Sequence, residues 1–166
     1  MSHKKYGIDF DRYLKKSGTL NTDLIGKDLI RKATATIPQR TLRTHARKVI
    51  ADILQDERFK AIPWATLFDI GFTIALIVGT EGAAIPALIF KKLIIELGIR
   101  EFIAIGTNFG AIRREVYKYK AGKHTADNTY DLAKHVLRVT LGMKTLTPYQ
   151  ISDMAKFLTI MIRHRR

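Results

Sequence analysis

The sequence predicts an all-α protein in which a basic N-terminal helical hairpin arm, within residues 1–60, precedes an apolar helix bundle over residues 61–166. Three observations carry this. Apolar residues recur at helical spacing in segment after segment, while no segment alternates with a strand period. Helix start and stop signals punctuate the chain at intervals of one helix length. Charge is sorted by position: residues 1–60 hold fourteen Lys/Arg against seven Asp/Glu, residues 61–112 three against four, and residues 113–166 twelve against four. Basic residues needed only for solubility would be scattered and mixed with acids. A near-neutral apolar centre between two basic flanks instead predicts one part that packs and two that face a polyanion.

A polar lead, residues 1–20, is expected to be mobile. It begins Met1-Ser2-His3-Lys4-Lys5-Tyr6, charged and without a following apolar run, so no secretory signal is expected. Asn21-Thr22-Asp23 offers N-cap chemistry for a helix over about 23–34, with Ile25, Leu29 and Ala33 on one face and Lys27 and Arg31 on another. Thr36-Ile37-Pro38-Gln39 has the pattern of a capping box, predicting a second helix that runs to about Arg58. Along it Leu42, Ala46, Val49 and Ile53 gather in one arc, and Arg40, Arg43, Thr44 and Arg47 gather nearly opposite. These two helices form the hairpin, about 21–58.

Three apolar helices follow, over about Pro63–Val78, Ala83–Leu97 and Ile99–Lys120, with Gly98 marking a break. Gly106 and Gly110, four apart, permit close helix contact. From Ile70 to Phe90 only Glu81 is charged, a stretch of membrane-spanning length if it were one helix. Gly79-Thr80-Glu81-Gly82 and Pro86 interrupt it, so two shorter helices buried in a core are expected. Asp127 or Asn128 can cap a helix with Leu132, Val136 and Val139 on one face, ending near Gly142. The strongest start signal is Thr147-Pro148-Tyr149-Gln150, a capping box with proline at the first helical position. The helix it opens has Ile151, Met154, Ala155, Leu158 and Ile162 on a dry face and Ser152, Lys156, Thr159 and Arg163 on a wet one.

The chemistry in the chain is cationic. With no cysteine there is no disulfide, thiol nucleophile or thiolate metal site. His3, His45, His124, His135 and His164 show no paired metal-ligand spacing, so neither a metal nor a cofactor is expected, and Asp131 and His135, four apart, are expected to make a surface contact. Gly79-Thr80-Glu81-Gly82 lacks the lysine of a phosphate-binding loop. The sequence does not predict an enzyme. Arg40, Arg43 and Arg47, at i, i+3 and i+7, project guanidinium groups from one helix face, flanked by Lys48 on one side and His45 on the other. Residues 27–48 hold seven cations (Lys27, Arg31, Lys32, Arg40, Arg43, Arg47, Lys48) and one acid, Asp28, which favours phosphate contact over a merely solvated face. A second cluster, Arg113, Arg114, Lys118, Lys120 and Lys123, interleaves with Tyr117 and Tyr119. It suits phosphate hydrogen bonding and stacking on unpaired bases, and equally suits cations complementing a helix C-terminus. Arg163-His164-Arg165-Arg166 has the same two readings. No Asn or Gln accompanies the Arg40 face, which favours sequence-independent binding.

A basic helical arm joined to an apolar helix bundle in a short cysteine-free chain resembles the major capsid proteins of filamentous archaeal viruses. The resemblance covers the whole chain as an ordering of parts and carries no diagnostic motif. It implies a virion nucleocapsid subunit, present in the host cytoplasm during assembly, whose arms wrap double-stranded DNA held in the A form while bundles pack along a helical filament. Partners would be DNA, further copies or a related second capsid chain, and a lipid envelope. Lys27, Arg31, Arg40, Arg43 and Arg47 would face DNA, and residues 61–112 would form the bundle core. The basic region after Arg113 departs from that pattern. Two further classes fit the composition: a cellular chromatin-like architectural protein, and a small membrane protein with basic flanks.

Overall fold

The computed structural model describes residues 10–164. Eight α-helices make up the described chain: α1 Thr22–Thr34, α2 Arg40–Gln55, α3 Trp64–Glu81, α4 Ala87–Leu97, α5 Ile99–Thr107, α6 Phe109–Lys120, α7 Thr129–His135 and α8 Pro148–His164. Among the described residues no β-strand forms, only an isolated bridge between Leu14 and Leu20. The apolar helix α3 packs on α1, α2 and α5; α6, α7 and α8 pack on one another; α4 and α5 join the two groups, α4 touching both α2 and α8. The buried apolar side chains form one continuous cluster from Tyr13 to Met161.

Capping chemistry sets several boundaries as the sequence predicts. The Asn21 side chain accepts from the Leu24 N–H, and Asn128 from the Asp131 N–H. At α8 the box is reciprocal: Gln150 N–H donates to Thr147 Oγ1 at 3.2 Å and Thr147 N–H to Gln150 Oε1 at 2.9 Å. Gln150 then donates from Nε2 to the Glu96 carbonyl, fixing the start of α8 to the end of α4.

Other boundaries move, each for a local reason. Helix α2 begins at Arg40, with no side-chain cap at Gln39, so the expected box at Thr36 does not form. Ile37 precedes a proline, which disfavours helical backbone, and it turns inward to 2% exposure. The predicted end at Arg58 falls beyond the helix, which stops at Gln55 before a short 3-10 turn, Glu57–Phe59. Pro86 delays α4 to Ala87, leaving buried Ala83 and Ile85 in the connector. The single helix expected over Ile99–Lys120 is two, broken at Asn108. There Thr107 Oγ1 and Asn108 Nδ2 both donate to the Ala104 carbonyl, competing with the helical ladder. Val139 is 69% exposed and leaves the face it was expected to share with Leu132 and Val136. A π turn over Val136–Thr140 follows α7, with Leu141 N–H reaching the Val136 carbonyl, and the wider turn puts Leu137 inside instead.

The hairpin does not stand apart as an arm. Ile25, Leu29, Ala46 and Ile53 are each at most 1% exposed. A Cβ at Gly71 of α3 would lie 2.8 Å from Leu29 Cδ1, so α1 approaches α3 closely. Lys91 of α4 pairs with Asp52 at 2.9 Å and Asp56 at 3.1 Å, and His45 Nε2 lies 2.6 Å from the Ile85 carbonyl. Besides packing on each other, α1 and α2 pack on α3, and α2 also packs on α4.

Of the expected mobile lead, residues 1–9 lie outside the described residues, and the rest folds onto α1. Tyr13 is 1% exposed and donates to Asp28 Oδ2 at 2.6 Å, while Arg31 Nη2 donates to the other oxygen at 2.9 Å. Burial and the hydrogen bond to Asp28 push the Tyr13 phenol up to about 12, and the same bond leads the lowering of the Asp28 carboxyl.

Helix α3 is long and apolar enough to cross a membrane, and 56% of its residues are buried within this fold.

Two outcomes are expected. Leu29→Ala should cost about 2–5 kcal/mol, as for a filled core position, and shift one cooperative thermal transition; loss of a separate low-temperature step alone would mean the hairpin unfolds independently. The Tyr13 phenol is held neutral in the fold, so its stabilisation is complete below its ordinary value of 10 and is lost as pH rises to about 12. Tyr13→Phe should therefore flatten stability against pH in that window, measured by urea denaturation at each pH.

Candidate nucleic-acid interface

The first cation set lies on α1 and α2. Lys27, Arg40 and Lys48 are exposed, and no acid pairs with them among the described residues. Arg31 is committed to Asp28, although 64% of its side chain remains exposed. Lys32 is half-buried. The expected stripe is not uniform. Arg43 donates from Nη1 to the Ile37 carbonyl at 3.1 Å, and Arg47 from Nε to Thr34 Oγ1 at 3.2 Å. Arg43 thus holds the connector and Arg47 the end of α1 against α2, and each retains N–H donors for an anion. His45, turned to Ile85, leaves the flank of the stripe.

The second set is more concentrated. Gly110, Arg113, Arg114, Tyr117, Lys118 and Lys123 line a groove of about 600 Å³ along α6 and the loop after it. A Cβ at Gly110 would meet nothing within 4 Å, so that glycine opens the groove floor and makes no helix contact. Gly106 does make one, with a Cβ placed 2.9 Å from Thr73 Cγ2 of α3. Tyr117 is 64% exposed. Arg114, Lys120 and Lys123 are exposed, with no acid paired to them among the described residues. Arg113 is turned inward to Glu81 at 3.6 Å, and Lys118 lies 3.7 Å from Glu115. Gly122, at φ 72°, reverses the chain after α6 and brings Lys123 N–H to the Lys118 carbonyl, which places the Lys123 side chain at the groove.

Beside this groove the fold assembles a group that sequence spacing does not show. Glu115 of α6, His124 of the loop and His135 of α7 converge, with ligand atoms all within 4.8 Å of one another. His135 therefore does not pair with Asp131, which meets Lys134 at 3.4 Å. The available signal was weak: two of five histidines fall within twelve residues of each other after a glutamate, on three different elements.

Comparison with family models, with curated proteins and with solved structures finds no match for this chain.

Arg43→Ala should cost about 0.5–1.5 kcal/mol, the worth of its hydrogen bond to Ile37. Arg40→Ala should stay within about 0.5 kcal/mol, as for a free surface side chain. Chemical denaturation distinguishes them, and equal effects would mean that Arg43 does not hold the connector.

Proposed function

We propose that the protein is a structural nucleic-acid-binding protein that contacts the phosphates of duplex DNA without reading its sequence. The observation that supports this most is the α6 groove, where exposed Arg114, Lys118 and Lys123 surround the exposed ring of Tyr117. Cations set the affinity through phosphate charge, and the phenol adds a hydrogen-bond donor or a stacking surface. The net charge of +14 gives the whole chain a long-range attraction to polyanions. Lys27, Arg40 and Lys48 supply a second contact on α1 and α2.

The finer proposal, from the resemblance to filamentous archaeal virus capsid proteins, is that copies coat DNA as a helical nucleocapsid and favour its A form. The docked hairpin bears on how this would happen. Enclosing a duplex between arm helices requires the contacts of α1 and α2 with α3 and α4 to open; binding by the outer cationic surfaces does not. That packing favours, as a second reading, a chromatin-like protein that lies against one side of DNA.

If Arg114, Lys118 and Lys123 each neutralise a phosphate, replacing all three with Ala should flatten the slope of log K against log salt by about 2.7, three times 0.9 per contact. The loss should be the same on unrelated sequences. An unchanged slope with intact folding would remove the groove from the interface. Microscopy of the protein on long DNA then separates the two readings: regular filaments support the nucleocapsid, and isolated particles at saturating protein overturn it.

A further inference from the structure

We propose that Glu115, His124 and His135 form a binding site for one first-row divalent transition-metal ion, of which zinc is the simplest probe. The three side chains come from α6, the following loop and α7. His124 Nε2 lies 2.8 Å and His135 Nε2 3.3 Å from the same oxygen, Glu115 Oε2, and the two imidazole rings stand edge to face with centroids 4.7 Å apart. Both imidazoles thus bring one nitrogen to the same carboxylate oxygen. Two imidazole nitrogens and one carboxylate oxygen are a donor set suited to zinc, cobalt or nickel, not to calcium or magnesium, which prefer oxygen.

The spacing is close to what an ion requires. Ligands about 2.0–2.1 Å from a tetrahedral metal lie roughly 3.3–3.4 Å from one another. The His135–Glu115 separation already matches, the His124–Glu115 separation needs to widen by about half an ångström, and the two imidazole nitrogens lie within 4.8 Å of each other. The site is built into the fold: the His124 side chain is 5% exposed, Glu115 20% and His135 33%. Its open side lies at His135, leaving a path for the ion and space for a water as fourth ligand. Lys118, 3.7 Å from the other Glu115 oxygen, is 55% exposed on a flexible stem and can swing out as the ion's charge arrives.

One hydrogen bond opposes loading and defines its chemistry. The Ala126 N–H donates to His124 Nδ1 at 2.9 Å, so without an ion the neutral ring carries its proton on Nε2 and donates it to Glu115. Coordination through Nε2 moves that proton to Nδ1, with no net release from this residue. The Ala126 N–H must then turn away. The ion would replace the His124–Glu115 hydrogen bond and the His135–Glu115 contact by three metal–ligand bonds, and would clamp the loop carrying Lys123 between α6 and α7.

The test uses the full chain, freed of metal with a chelator. Calorimetric titration with zinc should show one ion per chain and a raised melting temperature that the chelator reverses; cobalt should give the visible absorption of a tetrahedral site. His135→Ala, at the half-exposed position, should fold normally and weaken zinc by at least about tenfold, since loss of even an outer-shell partner costs about 10–100-fold. His124→Asn, whose amide oxygen can still accept from Ala126, should do the same. His164→Ala should change nothing. No stoichiometric zinc uptake by the unaltered chain, or uptake undiminished in His135→Ala, would overturn the site.

Discussion

A helix whose charged residues over 64–81 are only Asp69 and Glu81 loses free energy wherever its sides meet water, and most of the packing in this protein answers that constraint. Three helices enclose α3, and small residues let them come close. Gly71 admits Leu29 from α1, and Gly106 of α5 admits Thr73 from α3. Because α1 and α2 supply part of that enclosure, their basic faces are fixed to the core instead of projecting from it. The same requirement joins α4 to α2 through Lys91, which bridges Asp52 and Asp56 while its own side chain is 12% exposed. The end of α3 is tied in turn to α6 by the ion pair of Glu81 and Arg113. A residue that composition assigns to DNA therefore has a structural partner.

The cations divide into those that hold the fold together and those that are exposed and meet no acid among the described residues. Arg31, Arg43 and Arg47 satisfy acceptors on α1 and its connector, and Arg113 neutralises a buried carboxylate. Arg40, Lys48, Arg114, Lys120 and Lys123 meet no acid among the described residues. Unpaired exposed cations lose little on contacting phosphate, because no existing pair must break. Committed arginines contribute position first and charge second, through the donors they have left over. Two of the uncommitted set, Arg114 and Lys123, line the groove on α6 together with the exposed Tyr117. Next to it, Glu115 lies within ion-pair distance of two histidines and a lysine.

Local physics wrote much of the fold into the chain. The apolar period placed Ile25, Leu29, Leu42, Ala46, Val49, Ile53, Met154 and Leu158 inside, where they are found, because a helix buries one face whatever lies against it. Asn21, Asn128 and the Thr147–Gln150 box marked helix starts through bonds made within four residues. Charge segregation likewise identified both cationic regions. Signals that depend on competition between neighbours were less readable. The box at Thr36 lost to the burial of Ile37, the helix through Asn108 lost to two side chains bonding one carbonyl, and Val139 was turned out by a π turn.

By itself, then, the sequence determined an all-helical chain, most of its buried faces and the location of its positive charge, all of which follow from periodicity and short-range bonding. Tertiary structure alone decided what those faces met. It packed α1 and α2 on α3, set Arg43 against the connector and Arg47 against the end of α1, and gathered Glu115, His124 and His135 from two helices and a loop. Residues nine and eleven apart on different elements have no fixed distance until the elements pack, so their meeting is a property of the bundle and of no segment within it.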